Sequence, residues 1–113
     1  MGYRYTIGFV ISQEDYEVLL TKAELDGVNL HSLQHAWDKD VQESNGTKTW
    51  KLFSFPETKW WDHIDYLYMY VKSLNHCHWL SIGEDCKKRK EIHHGIAPDY
   101  YYVSPKLEVL GGF

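Results

Sequence analysis

The dipeptide Asn45-Gly46 constrains the fold more than any other feature of this sequence. A type I′ hairpin turn needs positive φ at both central residues, and Asn followed by Gly suits it. Strand-compatible segments flank it, and a two-residue loop fixes how they pair. Counting outward sets Val41 opposite Trp50 and Asp40 opposite Lys51, an apolar pair on one face and an opposite-charge pair on the other. The rival reading is a short helix from Leu30 through Leu33 to Trp37 followed by a loop, which removes one strand.

Periodicity supplies the other elements. Tyr3, Tyr5, Ile7, Phe9 and Ile11 alternate with Arg4, Thr6, Gly8 and Val10, the pattern of a strand. Ser12 then stands as a helix N-cap with Asp15 three residues on. Tyr16, Leu19, Leu20 and Ala23 follow at helical spacing, and Gly27 closes the helix. After Pro56, the residues Trp60, Ile64, Leu67, Val71 and Leu74 form the core stripe of a second helix ended by Asn75. A strand over Cys77 to Ile82, a charged turn from Glu84 to Lys90 and return pairing around Ile92 come next. Tyr100 to Val103 read as a last strand, with Pro105 at its end and Gly111-Gly112 loosening the terminus.

This order predicts an α+β fold, a ferredoxin-like βαββαβ antiparallel sheet with two helices on one face and a C-terminal strand extension. The length suits a single domain over residues 1–113, and there is no internal repeat, low-complexity segment or linker. A formal net charge of -4 disfavours broad electrostatic capture of nucleic acid. No apolar run is long enough to span a bilayer, and Met1 to Arg4 leads into a strand pattern instead of a signal peptide or a myristoylation site. The reading is a cytoplasmic protein whose two cysteines, Cys77 and Cys86, are reduced thiols.

Aromatic residues make up 16% of the chain, more than one small core should need, and a surplus points to recognition. Trp60 and Trp50 are assigned to the second helix and the hairpin. Tyr66, Met69 and Tyr70 form a second stripe on that helix, and Tyr100, Tyr101 and Tyr102 present rings to both faces of their strand. A partner protein or a homodimer contact are the alternative uses for them.

Three constellations bear on chemistry. His76 and His78 flank Cys77, so in a strand their imidazoles point the same way, and with His93 or His94 they make a conceivable zinc site. The bland reading is polar residues at a strand edge. Cys77 faces away from both imidazoles and reads as a small buried residue, and no phosphate loop, nucleophile elbow or other catalytic motif is present. Lys87-Lys88-Arg89-Lys90 is the one basic run, either a solvated turn balanced by Glu84, Asp85 and Glu91 or a phosphate contact beside aromatic rings that could stack on bases. The first and third strands fit the aromatic submotifs of an RNA-recognition motif poorly.

The segment Ile82-Gly83-Glu84-Asp85, with Ile92 and Gly95 after it, resembles a turn motif near the C-terminus of small uncharacterised proteins of bacteriophages and other mobile elements. The similarity spans about a quarter of the chain and departs from the motif at Lys87 to Lys90, where those proteins are mostly acidic. The resemblance implies a phage accessory protein acting in the host cytoplasm. The leading expectation is therefore a non-enzymatic protein that occludes a host protein or defence complex and needs no cofactor. Tyr66, Met69, Tyr70 and Tyr100 to Tyr102 are its anchors, and Asp38, Asp40 and Glu43 form an acidic rim. A nucleic-acid or nucleotide binder using Lys87, Lys88, Arg89 and Lys90 is the alternative. A small metal-dependent enzyme on His76, His78 and His93 is the third.

Overall fold

A computed structural model describes residues 3–43 and 48–99. The chain runs β1 (Arg4–Ser12), α1 (Gln13–Asp26), α2 (Leu33–Ala36), β2 (Trp37–Gln42), β3 (Thr49–Lys59), α3 (Asp62–Lys72), β4 (Cys77–Gly83) and β5 (Arg89–His94). All five strands join one antiparallel sheet in the order β2-β3-β1-β4-β5. The fold is α+β; the five-strand order differs from that of a four-stranded ferredoxin-like sheet because β5 adds outside β4, and α2 is a third helix.

Local chemistry explains most boundaries. Ser12 caps α1 by accepting a hydrogen bond from the Asp15 N–H at 3.1 Å, and Gly27 ends the helix in the left-handed region at φ 70°. Val41 pairs with Trp50 and Asp40 with Lys51, the register that a two-residue hairpin requires; the Asn45-Gly46 turn lies outside the described residues. The rival helix is present only as one turn, Leu33–Ala36, and β2 starts at Trp37. Around Val41, therefore, no strand is lost.

Two boundaries differ from the sequence reading. Pro56 lies inside β3, where the β1 register shifts between Tyr5 and Ile7 and one extra β3 residue bulges. A bulge beyond the reach of β2 is a place where a sheet tolerates proline, since the missing N–H breaks no ladder. The second helix begins at Asp62 and ends at Lys72, so Trp60 and Leu74 flank it instead of belonging to it.

The sheet divides the interior into two clusters. Ile7, Phe9 and Ile11 of β1, Phe53 and Trp79 pack with Leu19, Ala23, Leu33, Ile64, Leu67 and Val71 from the three helices. Leu20, expected in this core, is exposed on α1. Val10, Trp50, Leu52, Leu80, Ile82 and Ala97 form the cluster on the opposite face. Ala97 comes from the chain just past β5, which places residues 95–99 beside that second face.

Candidate metal centre

Strand alternation sends Trp79 of β4 to the helix-covered face and His78 to the other. On that second face His78 stands directly opposite His93 of β5, with ring centroids 4.7 Å apart. A turn at Gly95, φ 63°, returns the chain toward β4 and delivers Asp99 to the same place. A ring nitrogen of each histidine and a carboxylate oxygen of Asp99 lie within 4.8 Å of one another.

Each ring of the pair also contacts an oxygen through Nε2. Nε2 of His78 lies 3.0 Å from the Glu91 carboxylate, and Nε2 of His93 lies 2.7 Å from the carbonyl of Ala97. Both oxygens are acceptors, so neutral rings carry their proton on Nε2 and their lone pair on Nδ1. A histidine whose second nitrogen donates to a carboxylate or carbonyl is the usual support for a metal ligand, because the bond fixes the tautomer and raises basicity. Glu91 is itself held ionised: the hydrogen bond from His78, then that from Arg89, draw its pKa below the ordinary carboxylate value.

Burial is graded across the site. His78 is fully buried, His93 is exposed and Asp99 is intermediate. Ligands of one ion at roughly 2.0–2.1 Å sit about 3.3 Å apart at tetrahedral angles, so a set spread up to 4.8 Å has to draw in by as much as about 1.5 Å. His93 and Asp99, on the open side, are the groups with room to do so. Two imidazoles and one carboxylate suit a divalent first-row transition ion and leave further positions to water or a ligand.

His76, expected in this set, is elsewhere. β4 begins only at Cys77, so the alternation assumed for His76 does not operate, and its Nδ1 accepts a hydrogen bond from the Ile96 N–H at 3.0 Å. His94 points to the Leu74 carbonyl, 3.0 Å away. Cys77 is a buried thiol whose pKa is raised by burial, Cys86 is exposed, and neither is in a disulfide.

The expected partner-binding residues are dispersed. Tyr70 lies in the core, where its hydroxyl donates to the Asp15 carbonyl at 2.7 Å and its pKa is pushed up to about 12, chiefly by burial. Tyr66 is half-buried and donates to Asp26 at 2.7 Å. Both rings thus tie α3 to α1, and of that stripe Met69 alone is exposed. Asp38, Asp40 and Glu43 belong to the β2 edge of the sheet: Asp40 accepts from Trp37 Nε1 and Lys51 Nζ, and Glu43 accepts from Trp50 Nε1. Tyr100, Tyr101 and Tyr102 lie outside the described residues.

The basic run is split by secondary structure. Lys87 and Lys88 belong to the turn after β4, whereas Arg89 and Lys90 open β5. Lys88 Nζ lies 4.7 Å from the centroid of Tyr3, whose hydroxyl donates to Asp85. Arg89 pairs with Glu91 at 3.1 Å, and Lys90 rests on Trp60 and Tyr68. No helix among the described residues is long and apolar enough to cross a membrane. Compared with models of known families, with curated proteins and with solved structures, the chain matches none.

Proposed function

We propose that this chain is a metal-binding α+β domain in which His78, His93 and Asp99 hold one divalent transition ion. The convergence of those three donors carries the reading, since residues separated by 15 and 6 positions meet only because β5 pairs with β4 and the chain turns back at Gly95. The Glu91 contact to His78 supports it as the partner that orients a ligating ring. A bound ion would supply Lewis-acid character at the positions that the three side chains leave open. The test is equilibrium dialysis of untagged protein against Zn²⁺. One bound ion per chain, lost in His93→Ala and Asp99→Ala, supports the site; an unloaded wild type, or undiminished loading of both variants, removes it.

The inner strands run β2-β3-β1-β4, α1 links β1 to β2 and α3 links β3 to β4, which supports a ferredoxin-like split βαβ core with β5 appended.

A second reading keeps the phage-type protein that occludes a host protein. The observation in its favour is the edge strand β2, where Trp37 is 51% exposed beside Asp38, Asp40 and Glu43, an aromatic anchor with acidic neighbours. Capture from host lysate by wild type and by a Trp37→Ala/Asp40→Asn double variant tests it. A partner held by the first and released by the second supports an interface on β2, and equal capture places the interface elsewhere.

A further inference from the structure

Trp60 and Tyr68 form a two-walled clamp around a cation. Their ring centroids are 5.6 Å apart with planes at 67°, and Lys90 Nζ sits 4.9 Å from Trp60 and 4.8 Å from Tyr68. The walls are fixed from behind. Buried Trp79 meets Trp60 at 6.0 Å and Tyr68 at 5.3 Å, Tyr5 packs edge-on against Trp60 at 5.1 Å, and Trp60 Nε1 donates to Asp65 at 3.0 Å. Such a rigid pair of π-faces attracts a positive charge through the ring quadrupoles.

The internal occupant is a weak filler. Lys90 is an exposed residue on the outermost strand of the sheet, and among the described residues no carboxylate lies within ion-pair distance of it. A primary ammonium is compact and strongly hydrated, so packing it between rings sacrifices much of its hydration. A quaternary ammonium sheds less water and touches both rings with methyl groups, the case that aromatic cages recognise best. Among the described residues, Lys72 also lies near these walls, 5.8 Å from Tyr68, and Asp65 is a carboxylate that one wall carries.

We propose that Trp60 and Tyr68 are a binding site for a quaternary ammonium group, which Lys90 occupies as an internal competitor. Two sources present that chemistry, a trimethylated lysine of a partner chain and a small choline-type molecule. Trp60 and Tyr68 lie on the helix-covered face of the sheet, opposite the proposed metal site.

The test uses the full chain, following the Trp60 indole N–H resonance during titration with tetramethylammonium chloride against a sodium chloride control. Lys90→Ala should bind the probe about fivefold more tightly than wild type. Tyr68→Leu in the Lys90→Ala background should lose that gain while the other indole resonances stay dispersed, which separates ring loss from unfolding. Choline and a trimethyllysine peptide are titrated in parallel, and the tighter of the two assigns the source. Coincident isotherms for wild type and Lys90→Ala, or full affinity retained by the Tyr68→Leu double variant, overturn the proposal. Should Tyr68→Leu unfold, Lys90 itself decides the point: its ε-methylene protons should move downfield as the probe displaces it from the rings, and unchanged shifts at saturation count against the clamp.

Discussion

His78 on β4 and His93 on β5 face each other across the ladder with ring centroids 4.7 Å apart, and each directs its Nε2 to an oxygen, on Glu91 and Ala97 respectively. When both rings are neutral, donation from Nε2 places each lone pair on Nδ1. Asp99 joins them because the chain reverses at Gly95. Secondary structure creates the pair, and a turn completes the set.

Tyr70 ties α3 to α1 through its hydroxyl. Tyr70→Phe deletes the hydroxyl that donates to the Asp15 carbonyl and should cost about 1 kcal/mol in urea denaturation at neutral pH. Tyr70 also keeps its proton in the folded state to about pH 12, against 10.0 for the free side chain. Its contribution is full below pH 10.0 and fades as pH rises toward about 12, because the unfolded chain ionises first. The variant should therefore lose less stability than wild type over that alkaline window, and an equal loss in both would remove Tyr70 as a source.

Capping gives a second prediction. Ser12→Ala removes the acceptor for the Asp15 N–H and should cost about 1 kcal/mol. Gly27→Ala should cost about as much for a different reason, since an added Cβ meets nothing within 4 Å but has to be held at φ 70°. Asn at position 27 should recover part of that loss, which thermal melts of the three variants will register.

A third prediction separates the thiols. Cys86 is exposed and Cys77 fully buried. An aromatic disulfide reagent should titrate one thiol per native chain and both after denaturation. Rapid modification of both in the native protein would contradict the packing of β4 against α3.

Core truncation provides the fourth. Leu67 is fully buried on α3 within the helix-face cluster, and Leu67→Ala should cost roughly 2–5 kcal/mol, read as a lower urea midpoint. Truncating Met69, two residues on and 55% exposed, should stay within about 0.5 kcal/mol.

Much of this architecture is legible in the sequence because local chemistry sets it. Ser12 and Gly27 mark both ends of α1, and the Asn45-Gly46 count fixes the register of Val41 with Trp50. Pro56 misleads, because a proline reads as a break whereas here it occupies a bulge. The stripe of Tyr66 and Tyr70 shows in the helical spacing, yet spacing alone does not say whether a second stripe meets solvent or a neighbouring helix. At the candidate site the sequence shows His76, His78 and either His93 or His94 as donors, whereas the fold brings Asp99 to His78 and His93 and leaves His76 elsewhere. Alternation is a rule for residues inside a strand, and β4 starts one residue too late for His76 to obey it. Asp99 arrives by way of a non-periodic turn, for which only Gly95, at φ 63°, offered any signal.

His78, His93 and Asp99 are proposed to share one ion. Long-range ¹H–¹⁵N spectra of the histidine side chains during Zn²⁺ titration test it most directly, since ligation moves the coordinating imidazole nitrogen. Saturable shifts should be confined to His78 and His93 and complete at one equivalent, with His31, His35, His63, His76 and His94 unmoved. Unchanged His78 and His93 nitrogens, or shifts that appear instead at His76 and His94, would contradict it.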